Sequence, residues 1–188
     1  MKYRFYGHRD ADYLFPNKPE FKFLWNEIRD CLDAVSEEMI ISTFQHSTRK
    51  AKSISEAINK LLKEEFIKKG WNSESYIFAD EEDKLSVEVA FNHRSDISWN
   101  LIKPTLASEL NHVDKAIQTS GGVIITATEN MKRDGGFDSA CGTYEDYVQY
   151  LRPMSLMLTA PLMIVGLEAT ESFKIEKIKE SGRTFGVV

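Results

Sequence analysis

The sequence predicts an α/β protein with a three-layer core, in which a central mixed β-sheet is flanked by helices. Two apolar runs without polar alternation, Val123 to Thr126 and Ala160 to Leu167, are typical of buried strands in a mixed or parallel sheet. Segments with apolar residues at helical spacing precede and separate these runs. This order of elements favours a sheet between two helical layers.

Length and composition limit the class of protein. A chain of 188 residues with 42% hydrophobic content can bury a full core, and we predict a single domain over residues 1–188. The apolar runs are too short to span a bilayer and the N-terminus lacks a signal-peptide core, so we expect a cytoplasmic protein with no membrane partner. A net charge of −5 argues against a nonspecific nucleic-acid coat but not against a local basic patch. Cys31 and Cys141 have no paired spacing and are predicted to be free thiols.

The N-terminal part is predicted to be largely helical. We interpret Met1 to Tyr6 as a short edge strand and Asp12 to Pro19 as a loop. Apolar spacing predicts an amphipathic helix from Pro19 to about Ser36. Met39 to Phe44 fits either a strand or a helix end.

A second helix is predicted from Ser53 to Lys69, because Ser53 and Glu56 have capping-box spacing and Gly70 follows the last turn. The preceding segment contains Arg49 and Lys50 with few acidic residues nearby. It is either a phosphate-contacting segment or a solvated loop.

The stretch from Tyr76 to Arg94 predicts a β-hairpin, with strands at Tyr76 to Ala79 and Leu85 to Phe91 around an acidic turn. Glu88 interrupts the second run, and a carboxylate there must reach water, a partner or a cation, because burying an unpaired charge is costly. Asp80 ends the first run. Two carboxylates brought close on adjacent strands repel each other unless a divalent cation lies between them.

Beyond the hairpin, Asp96 to about Val113 is predicted to be helical, with a break or second start at Pro104. Glu129 to Gly142 is a long polar segment, interpreted as a loop that either binds a ligand or is mobile. Thr143 and Asp146 can cap a following helix, and the tail from Phe173 to Val188 has the alternation of a half-exposed hairpin.

The Asp80 and Glu88 arrangement resembles the metal half of a PD-(D/E)xK nuclease site, although Ala90 stands where that motif has a basic or polar residue. The wider pattern resembles the BglII/BstYI type of restriction endonuclease over roughly Leu14 to Glu168. It consists of several weak motifs in order: VEVAFNH, a helix containing Leu106 to Leu110, GVIIT, a Gly- and Ser-rich loop leading into Tyr144-Glu145, and APLMIVGL.

The resemblance implies a restriction-endonuclease-like core and a homodimeric type II enzyme that cuts palindromic double-stranded DNA using Mg²⁺. Glu88 matches the metal-binding glutamate, the carbonyl of Val89 the backbone ligand, and Asp80 the upstream aspartate, with Asp83 as a competitor. Glu74 falls near an auxiliary polar position of the catalytic site.

The resemblance also implies DNA contacts. Asn92 and His93 match positions that face the major groove, and Arg94 follows them. The segment from Lys132 to Ser139 matches a loop with further base and backbone contacts. The DNA-binding candidates are therefore Asn92, His93, Arg94, Lys132, Arg133 and Ser139, together with the basic Arg49 and Lys50.

Ala90 leaves three explanations open, since a methyl group can neither orient nor activate the attacking water. Asn92 or Lys84 supplies the missing polar group, the alanine was introduced to inactivate an enzyme, or the domain binds DNA without cutting it. We favour an endonuclease with Mg²⁺ as cofactor, and the alternative is a non-cleaving DNA-binding module of the same fold.

Overall fold

The structure is a computed structural model, and it describes residues 1–47, 51–71, 85–109, 119–180 and 182–188. In chain order its elements are β1 (Tyr3–His8), α1 (Ala11–Asn17), α2 (Pro19–Ala34), α3 (Glu37–Gln45), α4 (Ser55–Lys68), β2 (Leu85–Val89), α5 (Ile97–Glu109), β3 (Gly121–Ala127), α6 (Glu129–Asp134), α7 (Tyr144–Met154), β4 (Leu162–Leu167), β5 (Glu176–Glu180) and β6 (Arg183–Val187). The predicted class, an α/β protein with a central mixed sheet, is confirmed.

The central sheet has the strand order β1-β4-β3-β2. Strands β2, β3 and β4 are parallel to one another, and β1 runs antiparallel to β4. In the register of β2 with β3, Glu88 lies opposite Ile124. Among the described strands, β2 therefore forms one edge of this sheet and β1 the other.

Side chains alternate between two apolar clusters, one on each face of the sheet. Val123 and Ile125 of β3 pack with residues of α1, α2 and α4, whereas Ile124 packs with Leu101 of α5 and Leu151 of α7. Because β3 and β4 are covered on both faces, their side chains are buried and almost all apolar, whereas β2 includes the partly exposed Ser86 and Glu88. The result is a three-layer core.

Several predicted elements are confirmed. β1 is an edge strand, α2 follows the predicted amphipathic segment, and β3 and β4 are interior strands. The tail forms an antiparallel pair, β5 and β6. Thr143 and Asp146 form a capping box at the start of α7, and Gly70 has a φ of 86° just beyond α4. Both cysteines are free and buried.

The prediction of a loop from Asp12 to Pro19 is wrong, because Ala11–Asn17 is helical. Ala11 and Phe15, one turn apart, are both buried against α2 and the sheet. This packing stabilises a seven-residue helix even though Pro16, in its last turn, has no N–H to donate to the preceding turn.

The predicted break at Pro104 is also wrong, because α5 is continuous through that residue. Gly122 of β3 explains the tolerance. A Cβ at Gly122 would lie 2.5 Å from Cβ of Pro104, so the proline ring packs directly on the strand backbone. Burial of the ring offsets the helix hydrogen bond that proline cannot make.

The structure also resolves or corrects three local predictions. Met39 to Phe44 belongs to helix α3, whose N-cap hydroxyl is that of Ser36. The predicted capping box of α4 is absent, since the Ser53 hydroxyl instead contacts the hydroxyl of Ser55. The long segment after β3 begins with the short helix α6.

The second strand of the predicted hairpin is β2, and its first strand, Tyr76 to Ala79, lies outside the described residues. Of the helices that the structure describes, none combines the length and apolar character that a membrane crossing requires.

Candidate active site and nucleic-acid interface

Glu88 is the acidic residue of β2, and its side chain is 37% exposed. Successive side chains of a strand point to opposite faces of the sheet. Leu85 and Val87 pack in the apolar cluster beneath α2 and α4, so Glu88 faces the helical layer of α5 and α7. There its Oε1 lies 2.9 Å from Nζ of Lys103 on α5, a side chain that is 38% exposed. The carboxylate is thus accessible to solvent and paired with a cation.

Ala90 lies on the same face as Glu88, two residues further along, but it is only 2% exposed. Its methyl group packs among Ile97, Leu101 and Ile124. The Ala90 N–H donates to the Ile125 carbonyl at 2.8 Å, and its carbonyl accepts from the Thr126 hydroxyl at 2.9 Å. Both backbone groups of Ala90 point towards β3.

The Val89 carbonyl points the other way, because successive backbone groups of a strand alternate between its two edges. It is therefore directed away from β3, at the outer edge of the described sheet, and it belongs to the residue that follows Glu88. A backbone carbonyl and a carboxylate are the hard oxygen ligands that Mg²⁺ prefers.

A buried polar network adjoins Glu88. Nδ2 of Asn100, on α5, donates to Oδ1 of Asn92 at 3.1 Å and to the hydroxyl of Tyr147 at 2.7 Å. Burial raises the pKa of Tyr147 well above its ordinary value, and the charge of Glu88 contributes to the rise. Tyr147 is therefore a neutral hydroxyl that fixes Asn100, which in turn positions the Asn92 side chain at the end of β2.

The backbone after β2 pairs with the loop before α7. His93 forms an isolated antiparallel bridge with Cys141, and the Arg94 N–H donates to the Ala140 carbonyl at 2.8 Å. The Gly142 N–H donates in turn to the Asn92 carbonyl at 3.0 Å. The structure thereby brings together two segments that sequence reasoning singled out separately.

Arg94 is held at the start of α7. Its Nε lies 3.0 Å from Oδ2 of Asp146, the residue that also completes the capping box with Thr143. The guanidinium side chain remains 54% exposed, so its other nitrogens are open to an anion. His93 is exposed beside it.

Three further candidates line one cleft of about 490 Å³: Lys132, Arg133 and Ser139. They are not equivalent. The Lys132 side chain is only 10% exposed, with Oε2 of Glu129 at 3.9 Å, whereas Ser139 is exposed. Arg133 is 64% exposed, and its Nε donates to Oδ1 of Asp134 at 2.7 Å.

The cleft adjoins the loop that pairs with Arg94. The Ala140 N–H donates to Asp138 Oδ1 at 2.8 Å, and this hydrogen bond holds the pKa of Asp138 below its ordinary value. Phe137 packs edge-on against Phe91, with ring centroids 5.3 Å apart. The loop is therefore anchored both to the end of β2 and to the apolar core.

Six candidates lie outside the described residues: Asp80, Asp83, Glu74, Lys84, Arg49 and Lys50. Within the described ranges, no group of three or more His, Cys, Asp or Glu side chains is close enough to hold a metal ion. Glu88 and the Val89 carbonyl are thus the described part of the predicted metal site.

Sequence reasoning missed Lys103, Asn100 and Tyr147. Asn100 and Lys103 belong to α5 and Tyr147 to α7. The packing of these helices on the sheet brings their side chains to the site. The only sequence signal for Lys103 was a lysine in a helix after the acidic strand, which also describes many solvated surface lysines.

A mixed sheet between two helical layers, with an accessible glutamate on strand β2, is compatible with a restriction-type endonuclease. The chain belongs to the restriction endonuclease BglII/BglIII family, whose model matches residues 3–167. The resemblance inferred from the sequence motifs is confirmed, and with it the assignment as an endonuclease of a restriction system.

Solved structures agree on the fold. The crystal structure of the restriction endonuclease BglII complexed with a DNA 16-mer has a TM-score of 0.65 and 18% identity, covering 98% of this chain and 86% of that one. Free BglII has a TM-score of 0.54 and 18% identity, covering 100% of this chain and 93% of that one. No curated protein sequence matches the chain significantly.

Proposed function

We propose that this protein is a type II restriction endonuclease that hydrolyses phosphodiester bonds at a short palindromic site in duplex DNA, with Mg²⁺ as cofactor. The observation that carries the proposal is the Glu88 carboxylate, which is accessible and lies 2.9 Å from Lys103, on a strand whose following residues pair with the loop before α7. We also propose that residues 1–188 act as one domain.

The donor set fits a hard divalent cation. Glu88 and the Val89 carbonyl would hold it together with Asp80, for which Asp83 is the competitor, and Glu74 would assist. When bound, Mg²⁺ polarises the scissile phosphate and promotes formation of the attacking hydroxide.

The DNA-binding candidates would position the DNA. Asn92, held by Asn100, and His93 would face the major groove, where base edges carry a distinct pattern of donors and acceptors. Arg94 would contact a backbone phosphate. Phosphate contacts fix the register of the duplex, whereas base contacts provide specificity.

The cleft after β3 would extend this interface. Arg133 and Ser139 would make outer contacts with DNA, and Lys132 would form the floor of the cleft. Arg49 and Lys50, in the segment before α4, would be further DNA contacts. The fold of the BglII complex with its DNA 16-mer supports duplex DNA as the partner.

A palindromic site implies two-fold pairing of protein chains. Exposed apolar side chains on the α5 and α7 side of the sheet support a homodimer. They are Trp99 and Leu106 of α5, and Leu156 and Met157 just beyond α7, with exposures of 58%, 38%, 90% and 57%.

Digestion of phage DNA of known sequence tests the proposal. We expect discrete fragments in Mg²⁺, none in EDTA, and ends that map to one palindromic sequence. Continuous degradation, or fragments that form equally well in EDTA, would contradict it.

The second candidate is a DNA-binding module of the same fold that does not cut. Ala90 favours it, because that buried methyl group replaces the polar residue of the nuclease motif. Tight binding to one duplex sequence, without cleavage in Mg²⁺ or Mn²⁺, would favour this module over the nuclease.

A further inference from the structure

Lys103 occupies a position that the strand motif does not predict. We propose that Lys103 supplies, from helix α5, the cationic group that β2 lacks at Ala90, and that its ammonium donates hydrogen bonds to the non-bridging oxygens of the scissile phosphate. This inference rests on the proposed nuclease function and adds a catalytic residue to it.

The first step of the argument concerns Ala90 itself. Its side chain is 2% exposed and lies within an apolar cluster formed by α5, α7 and β3. A lysine or glutamine at that position would have to displace these helices, and overpacking of this kind destabilises a fold. In this chain, position 90 serves packing, and the charged group has to come from another element.

The second step is the geometry of α5. The helix crosses the sheet face that carries both Ala90 and Glu88, with Ile97 and Leu101 packed beside Ala90. Lys103 extends from that helix so that its Nζ lies 2.9 Å from Glu88 Oε1. The ammonium therefore lies at the carboxylate that the nuclease chemistry requires, on the same side of the strand as the motif position.

The third step is that this ion pair can exchange. Its two side chains are 38% and 37% exposed, and ion pairs with that much solvent contact contribute little to stability. Little free energy therefore holds Lys103 on Glu88 once the singly charged phosphodiester of the DNA enters. A flexible lysine stem can move its charge a few ångströms without moving the helix.

Asn92 is a weaker source of the polar group than Lys103. Asn92 carries no charge, and its Oδ1 already accepts a hydrogen bond from Asn100. Lys84 lies outside the described residues. Among the described lysines, Lys103 is the one that the structure pairs with Glu88.

In the reaction, the oxygen of a water molecule forms a bond to phosphorus while one P–O ester bond breaks. The water releases a proton to solvent, and the departing ester oxygen takes up a proton, so that a phosphate monoester and a hydroxyl are formed. Negative charge increases on the non-bridging oxygens in the transition state, and a fixed donor aimed there lowers the barrier. Lys103 stays an ammonium throughout.

The test compares Lys103→Met with Lys103→Arg and with Lys69→Met as the matched control. Lys69 has the same 38% exposure and the same 2.9 Å ion pair, with Asp30. We expect single-turnover cleavage in Mg²⁺ to fall about 100-fold in Lys103→Met, to recover partly in Lys103→Arg, and to stay unchanged in the control.

Two binding measurements separate catalysis from structure. In Ca²⁺, the DNA affinity of Lys103→Met should stay within about threefold of wild type, since one contact among many is lost. Mn²⁺ affinity without DNA, measured by calorimetry, should not weaken, because the substitution removes a positive charge beside Glu88. Glu88→Gln should lose Mn²⁺ binding in the same experiment.

The outcomes are distinguishable. Wild type that cuts while Lys103→Met cuts equally fast overturns this inference and leaves the proposed function standing. Loss of Mn²⁺ binding in Lys103→Met in parallel with cleavage also overturns it, because Lys103 would then only hold Glu88 in place. Wild type that never cuts refutes the proposed function and this inference together.

Discussion

The exposure of Glu88 contrasts with the burial of Ala90, although the two residues lie on one face of one strand. Periodicity could place both on that face, and it indicated that a carboxylate among valines needs a partner. It could not identify Lys103 as that partner, because the contact depends on how α5 packs across the sheet. Nor could it show that Ala90 fills an apolar cluster.

Arg94 provides a test of the DNA interface at the scale of one residue. We predict that Arg94→Ala weakens DNA binding uniformly across sequences and reduces the slope of log affinity against log salt by about 1, because one phosphate contact is lost. Fluorescence anisotropy in Ca²⁺ at several salt concentrations measures both quantities.

The control for that experiment is Arg29→Ala. Arg29 lies on α2 and contacts Tyr3 of β1, at the opposite edge of the sheet from β2. The substitution Arg29→Ala should leave the DNA affinity and the slope of log affinity against log salt unchanged. If Arg94→Ala behaves like this control, Arg94 does not contact DNA.

Among the elements, those with a strong local signal were predictable. β3 and β4 are continuous apolar runs, and α2 has a clear apolar stripe. The helix α1 was not predictable, since seven residues that include Pro16 resemble a loop until Phe15 is seen to pack on Phe21, with ring centroids 5.1 Å apart. The continuity of α5 depends on Gly122, which is distant in sequence and gives Pro104 space on the sheet.

The start of α3 gives an element-scale prediction about pH. Glu37 accepts hydrogen bonds from the backbone N–H groups of Glu171 at 2.8 Å and Ser172 at 2.9 Å, which join the chain after β4 to this helix. Burial alone raises the pKa of Glu37, but the hydrogen bonds from Ser172 and Glu171 outweigh it, and the net pKa is lowered.

A lowered pKa in the folded state means that the charged form stabilises the fold. We predict that Glu37→Ala reduces the free energy of unfolding by about 1 kcal/mol at pH 7, and that this difference is lost as the pH falls below the ordinary pKa of a glutamate. Urea denaturation at several pH values measures it. The exposed Glu64→Ala is the control, and a Glu37→Ala difference that is unchanged at the lowest pH at which the protein stays folded would contradict the account.

At the scale of the whole molecule, we expect two protein chains related by two-fold symmetry. We predict that wild type sediments at twice the 21.6 kDa of the chain, and that the double substitution Leu156→Asp with Met157→Asp sediments as a monomer, because two charges enter an apolar contact. Circular dichroism should show an intact fold.

Ile67→Asp is the control for this substitution, since Ile67 is an apolar residue of α4 with 48% exposure on the other side of the sheet. It should remain dimeric. A wild-type chain that is monomeric both alone and with DNA would contradict the two-fold arrangement.

The most direct test of the central claim is the effect of Glu88→Gln on single-turnover cleavage of cognate DNA in Mg²⁺. Its matched control is Glu168→Gln, a carboxylate with 30% exposure that pairs with Arg4 Nε at 3.1 Å. We predict that Glu88→Gln abolishes cutting while its thermal stability and its DNA binding in Ca²⁺ persist, and that the control cuts like wild type. Cleavage by Glu88→Gln at the wild-type rate would contradict the account.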